Sequence, residues 1–411
     1  MITPPAAVSL SLVAEVRTRV IPDPHSLLAG LPERDLTCWV RQGQGMVGFG
    51  VAHARTFSSA AQANAWWRDL AGSVAVERDR GLAEEPMAGP VAFISFPFAP
   101  DGAFEVVVPQ VVVGRRHGLA WATTWGDARW APDQARTASP PAPRLSFRPG
   151  PLDRDRWFDA VCQLVARIRQ GQVDKVVLAR DELATAAHPI DVRPVLSRLA
   201  TAYPQTWTFC VANLVGASPE LLVRQDGGRI ASRVLAGTIP GDRDHTSLAA
   251  ALSSSSKDLA EHEYAVASVA RALRDHVSAL HVPDEPFVLR LPNVMHLASD
   301  ITGMVRDGGS VLQLADLIHP SAAVCGTPTD AARALIGEYE GMDRARYAGP
   351  VGWVNADGDG EIALALRCGL IEGGNVRIFA GCGIVADSRA AAEWEETIAK
   401  FLPMKQALLA V

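Results

Sequence analysis

The sequence predicts an α+β protein, and three observations lead there. Two stretches, ELLVR-QDGG-RIASRVLAG and YAGPVGWVN-ADGDG-EIALALRCGLI, set a glycine-containing turn between β-branched runs and read as antiparallel hairpins. Two others, SSSSKDLAEHEYAVASVARALRDHV (253–277) and SRAAAEWEETIAKFLPMKQALL (388–409), read as long helices opened by serine, a favoured N-cap. The first third mixes both types. SSAAQANAWWRDLAG (58–72) reads as a helix, and GPVAFISFPF (89–98) and AFEVVVPQVVVG (103–114) read as strands. Five prolines between residues 135 and 157 mark a boundary or a long connection. Beyond it, WFDAVCQLVARIRQG (157–171) spaces Phe158, Val161, Leu164, Val165 and Ile168 on one helical face, and DKVVLARDELA then alternates as a strand. No internal repeat is present.

A chain of 411 residues suggests two to three domains at ~100–200 residues each, or one large one. Hydrophobic residues at 48% and charged residues at 20% exclude disordered, collagenous and coiled-coil classes. A net charge of −6 leaves no footprint for nucleic acid or an anionic membrane, so small molecules are the expected partners. Cysteines 38, 162, 210, 325, 368 and 382 follow no metal spacing, and buried reduced thiols in a cytoplasmic protein are expected. The N-terminus has no basic region before its apolar stretch, so no signal peptide is expected. The uncharged stretch 200–219 holds Pro204, Gln205, Thr206 and Asn213 and is no membrane span.

The candidate chemistry is carried by few residues. Asp258 with Glu261, and Glu393 with Glu396, are i, i+3 pairs, each on one helical face. They suit either a hard cation such as Mg²⁺ or ordinary solvated faces, and Lys400, four residues past Glu396, is placed for an intrahelical ion pair. His262, His296 and His319 share no spacing, which disfavours zinc. Lys175 lies in the apolar run VDKVVLA. It is either desolvated and able to act as a general base, or an edge-strand lysine that blunts aggregation. Glu220 in GASPELLV is either a general acid or a polar strand start. The glycines of LAGT (235–238) and AGCGIV (380–385) read as turns that can offer N–H groups to an anion. Arg367, the one charge in IALALRC, needs an anionic partner if buried, and a ligand carboxylate fits its fork.

Nine ordered blocks between Trp157 and Lys400 resemble the chorismate-utilising enzymes, specifically the isochorismate synthases of menaquinone and siderophore pathways: DKVVLAR, GASPELLVR, VLAGT, SKDLAEH, LPNVMHLASDITG, LIHPSAAVCGTP, YAGPVGW, IALALRC, and AGCGIV followed by EWEETIAK. The resemblance implies one domain over residues 1–411, with a variable part at 1–150 and a motif-bearing part at 151–405. Its two large antiparallel sheets would pack together with helices outside. It further implies that Lys175 activates water for attack at C2 of chorismate and that Glu220 protonates the departing C4 hydroxyl. Glu261 and Glu396 would hold Mg²⁺, with Asp258 and Glu393 acting through waters. Arg367, Tyr347 and the backbone at Gly381 and Gly383 would hold the enolpyruvyl carboxylate, and Lys400, His296 and Ala236-Gly237-Thr238 would line the pocket.

Within this family, Lys175 stands where ammonia-using members usually carry Gln, so water is the expected nucleophile and no glutaminase subunit is expected. Ala236 replaces the nucleophilic lysine of the aminodeoxychorismate branch. Salicylate synthase, which adds pyruvate elimination, is the alternative activity, and a catalytically silent chorismate-binding subunit is the alternative of another class. The resemblance makes Ser321–Cys325 a pocket-lining segment, in which Ala322 replaces the second proline of the usual H-P-T-P-A motif. Family members are often monomers, and a monomer is expected here.

Overall fold

The computed structural model describes residues 15–131, 142–240, 245–290, 294–306 and 308–410. Two sheets organise the chain. The larger, of 13 strands among the described residues, runs from the edge pair Arg148–Pro149 and Lys175–Thr185 through Asn375–Ile384, Cys368–Glu372, Leu214–Ser218 and Trp207–Val211. It continues through Leu36–Arg41 and Gln44–Phe49 toward the far edge. The smaller, of 10 strands, centres on Arg229–Pro240, Leu221–Asp226, Gly360–Leu364 and Pro350–Asn355. Pairing is antiparallel except where Glu15–Val20 meets Ala75–Arg78 in parallel. The expected α+β architecture of two large packed sheets with flanking helices is therefore the one observed.

Both sheets take strands from either side of the proline-rich stretch. Val91–Ser95 from the first third pairs with Pro350–Asn355, and Leu36–Arg41 pairs with Trp207–Val211. Of the five prolines, 143, 149 and 151 are described; Pro149 pairs at a sheet edge, and Pro140 and Pro141 lie outside the described residues. The run at 103–114 is two strands in different sheets: Phe104–Val108 belongs to the smaller and Val111–Arg116 to the larger, with Pro109-Gln110 as the step between them. A proline cannot donate to a ladder, so pairing is free to end there.

The main core lies between the sheets and contains Trp39, Phe93, Trp121, Phe209 and Trp353. A second core covers the outer face of the larger sheet, where Val195, Leu196 and Leu199 meet Phe401, Met404 and Leu408. The alternating strand pattern and the one-sided helices of the sequence are what these layers require. The two expected serine starts fare differently: the first helix has its serine cap and the second does not. The first long helix is Ser256–Leu273, capped by Ser255, whose hydroxyl accepts from the Asp258 N–H; a separate helix, His245–Ser254, precedes it. The second is Ala390–Leu409, and its N-cap is Arg389 rather than a serine. Ser388 accepts instead from the Val385 N–H and closes the preceding turn. Five cysteines are buried as expected, but Cys162 is exposed. Among the described residues no helix is long and apolar enough to cross a membrane.

Helix Ala390–Leu409 is held against helix Arg154–Arg169 by Trp157, which is fully buried and meets Trp394 edge-on with centroids 6.2 Å apart. Trp157→Ala opens a void under the helix that carries Glu393 and Glu396. It is expected to lower unfolding stability by about 3–5 kcal/mol, read from the chemical-denaturation midpoint.

Candidate active site

Two chain segments cross side by side from one sheet to the other. Leu214–Ser218 lies beside Cys368–Glu372 in the larger sheet, and Leu221–Asp226 lies beside Gly360–Leu364 in the smaller. Glu220 sits in the first crossing and Arg367 in the second. They are tied together by the Ser218 hydroxyl donating to the Leu364 carbonyl (2.6 Å), the Leu364 N–H to the Glu220 carbonyl (3.1 Å) and the Ala217 N–H to the Arg367 carbonyl (3.2 Å). Arg367 has φ +49°, a left-handed conformation unusual for a residue with a side chain. Such strain persists only where surrounding contacts fix it, and it clusters at functional sites.

Lys175 opens the strand Lys175–Thr185. The edge-strand reading fails: its side chain has 0% exposure, because Gly326–Thr327 and Asn375–Ile384 pair with that strand from both sides. Its Nζ makes an ion pair with Glu261 Oε1 at 3.2 Å, in a geometry short of a hydrogen bond. Gly383 makes room for this pair. A Cβ there would stand 2.2 Å from Glu261 Oε1 and 2.9 Å from Lys175 Cε.

AGCGIV is not a turn but the end of the strand Asn375–Ile384, and LAGT lies inside the strand Arg229–Pro240. Backbone polarity is still offered to the cavity, because Asn375–Ile384 outruns its pairing with Cys368–Glu372, which ends at Ile378. Val177 and Ala179, opposite Gly383 and Gly381, send their N–H groups to the Cys325 carbonyl and to Glu340 instead. Gly381 and Gly383 are therefore the non-hydrogen-bonded positions of that ladder, and their peptide groups face away from it. The Gly381 carbonyl accepts from Lys400 Nζ at 2.9 Å. At Gly237 (φ +75°) the ladder bulges between Ala236 and Thr238, and a Cβ there would stand 3.0–3.3 Å from Asp258. The Thr238 side chain lies outside the described residues.

The acidic faces of the two helices converge. Lys400 Nζ pairs with Glu396 Oε1 at 2.5 Å, as its i, i+4 spacing allows. Burial raises the Glu396 carboxyl above its ordinary value; Lys400 opposes this, while Glu393 and Glu261 push it further up. Glu393 is buried, with its carbonyl against the Cys382 thiol. These carboxylates lie close enough to repel one another, and an all-oxygen donor set of this kind fits a hard divalent cation better than a soft metal. Among the described residues no three His, Cys, Asp or Glu side chains form a ready metal cluster. Two of the carboxylates are turned toward lysines instead.

Burial pushes the Glu220 carboxyl up to about 8, against the pull of a Leu235 backbone hydrogen bond and of the Lys175, Lys400 and Arg367 charges. It is therefore largely a protonated acid at neutral pH. Arg367 is buried (8% exposed), and its guanidinium Nη2 lies 3.1 Å from His296 Nε2. Arginine can only donate, so His296 Nε2 accepts, and its proton is on the other nitrogen, near the Gly237 backbone. Burial and the Arg367 and Lys400 charges hold His296 well below its ordinary value, which keeps it neutral. Among the described residues Arg367 has no ion pair. Tyr347 stacks flat on Phe379, centroids 5.0 Å apart, and burial raises its phenol.

One cavity of about 620 Å³, including its open mouth, joins these groups. It is lined by Glu220, Ala236, Glu261, His296, Tyr347, Arg367, Gly381, Gly383 and Lys400. Of the other expected residues, Lys175 reaches it through Glu261 and Gly383, Glu396 stands behind Lys400, and Asp258 and Gly237 flank it. Val324 and Ala323, in the segment Ser321–Cys325, line it as well, and sequence reasoning missed Arg344 and Phe379, which also line it. Phe379 looks like any core residue in a one-dimensional pattern, and Arg344 looks like a surface charge.

A family model described as chorismate binding enzyme matches residues 9–409. The chain belongs to the chorismate-binding enzymes. It is 39% identical over 264 residues to the isochorismate synthase MenF of Bacillus subtilis, a match covering 62% of this chain and 56% of that protein. It is 39% identical over 277 residues to the isochorismate synthase DhbC of the same organism, covering 64% and 69%. The chain thus spans little more than half the length of the first of these relatives. Escherichia coli MenF superposes with a TM-score of 0.78 at 23% identity, covering 96% of this chain and 94% of that one. Anthranilate synthase component I of Streptococcus pneumoniae superposes with 0.62 at 20%, covering 98% and 94%. At these identities the two structures share the fold.

Gly383→Ala drives a methyl into Glu261 and the Lys175 stem. An overpacking cost of about 1–3 kcal/mol is expected in denaturant titrations, with Glu261 displaced from Lys175 in a crystal structure of the variant.

Proposed function

We propose that the protein is a Mg²⁺-dependent isochorismate synthase, which isomerises chorismate by adding water at C2 and releasing the C4 hydroxyl, and feeds menaquinone or siderophore synthesis. The observation that carries this reading is one cavity lined by a buried carboxyl that holds its proton at neutral pH and by a buried arginine with no ion pair among the described residues, with a buried lysine directly behind its Glu261 and Gly383 wall. The similarity to MenF and DhbC supports the same reading.

Lys175 takes the proton of the attacking water, and Glu220 gives its proton to the leaving C4 hydroxyl, so that water enters and water leaves with no net redox change. Arg367, oriented by neutral His296, grips the enolpyruvyl carboxylate with Tyr347 and the Gly381 and Gly383 backbone. Lys400 adds positive charge beside that grip. Glu261 and Glu396 are the residues that would hold Mg²⁺, with Asp258 and Glu393 supporting through waters. When bound there, the metal supplies positive charge for the ring carboxylate. A pair of lysines on the same carboxylates keeps the site electrostatically balanced until substrate and cation arrive. The chain acts alone, as a cytoplasmic monomer without a glutaminase subunit.

The test is incubation with chorismate and Mg²⁺, with an EDTA control, followed by chromatography and a lactate dehydrogenase couple for pyruvate. Isochorismate without pyruvate is expected; salicylate with pyruvate would make it a salicylate synthase, and no reaction would favour the silent binding subunit. Lys175→Ala is expected to abolish turnover while Mg²⁺-dependent chorismate binding, read by calorimetry, persists. Glu220 acts in its protonated form, so the alkaline limb of kcat/KM is expected to fall about tenfold per unit above pH about 8. Glu220→Gln should remove that limb along with at least about 10²-fold of the rate.

A further inference from the structure

Two arginines line the cavity, and they differ in one respect. Arg367 has its guanidinium on a neutral imidazole, whereas that of Arg344 is held by a carboxylate and two backbone carbonyls. Arg344 Nε donates to Glu340 Oε2 at 2.9 Å and Nη2 to Glu340 Oε1 at 2.5 Å. Nη1 donates to the Val324 carbonyl at 2.8 Å, and Nη2 also to the Val177 carbonyl at 2.7 Å. Its plane lies over Phe98, 4.2 Å from the ring centroid. Glu340 accepts in addition from the Ala179 N–H at 2.7 Å. Both residues are almost fully buried, at 3% and 1% exposure.

These bonds join three pieces of the cavity. Val177 and Ala179 belong to the strand that starts at Lys175, and Val324 with Ala323 forms the facing wall. Tyr347 follows Arg344 by three residues, and its N–H donates to the Arg344 carbonyl. Four of the five N–H donors of this guanidinium are so committed, and only Nη1 keeps one over. Burying a charged pair is costly unless its donors and acceptors are met, and here Glu340 and backbone groups of the wall itself meet most of them.

We propose that Arg344, held by Glu340, is a positioning residue: it fixes the spacing between the Lys175 strand and the Ala323–Val324 wall, and so the place of the base relative to the substrate ring. This rests on the reading of the cavity as an isochorismate synthase site. A base misplaced by about 1 Å costs about 10²-fold in rate, so the role is in the chemical step rather than in binding.

Two variants test it in the full chain. Arg344→Lys keeps the charge beside Glu340 but lacks the planar fork that reaches both carbonyls. The double variant Glu340→Gln with Arg344→Met removes the charges together and spares the fold an unpaired buried ion. With chorismate and Mg²⁺, kcat per folded molecule is expected to fall at least about tenfold in both, with KM changed less than about threefold. Unchanged kcat, or a raised KM alone, would overturn the proposal, the latter making Arg344 a substrate-binding cation. Amide exchange supplies a readout independent of the reaction. Protection should fall at residues 175–179 and 321–325 in both variants and hold at Val91–Ser95. Unchanged local exchange overturns the proposal even if the wild-type chain does not turn over chorismate, an outcome that would instead count against the functional reading.

Discussion

The site depends on two strands that leave one sheet together and enter the other together. Each crossing must satisfy its backbone groups where neither ladder continues, and buried peptide groups left unpaired are costly. The chain resolves this by bonding the two crossings to each other through Ser218, Leu364, Glu220 and Arg367. The Glu220 carboxyl and the Arg367 guanidinium are thereby fixed at neighbouring points of a tightly constrained stretch of backbone. The strained φ of Arg367 is one consequence.

Charge in the cavity is arranged by pairing and by its omission. Lys175 and Lys400 are matched to Glu261 and Glu396, and Arg344 to Glu340. Arg367 instead faces a histidine that burial keeps neutral. A buried cation supported by a dipole, with no ion pair among the described residues, is what the proposed grip on a substrate carboxylate requires. The total of −6 says nothing of this, since opposite charges a few ångströms apart dominate over a net value spread across the surface.

Glycine has a different use here from the one its positions in the sequence suggest. LAGT and AGCGIV are strand segments, and their glycines are where another element comes close: Asp258 against Gly237, Glu261 and Lys175 against Gly383. Only the bulge at Gly237 needs a positive φ. Polar backbone is offered to the cavity because Asn375–Ile384 runs on past Ile378, where its pairing with Cys368–Glu372 ends, so that Gly381 and Gly383 have no ladder partner on that side.

The sequence by itself determined the hairpins, the long helices, the i, i+3 carboxylate pairs and the isolated charges Lys175 and Arg367, because these follow from periods of 2 and 3.6 residues and from polar residues in apolar runs. Motif resemblance tied the same residues to one chemistry. Only the tertiary structure decided that the runs at 103–114 and 360–372 split between sheets, that Lys175 is interior rather than at an edge, and that Glu340 and Arg344 are buried. Each depends on which strand lies alongside, a contact between residues tens to hundreds of positions apart. Side-chain burial and protonation, such as the proton held by Glu220, are set by those contacts and not by the residue's neighbours in the chain.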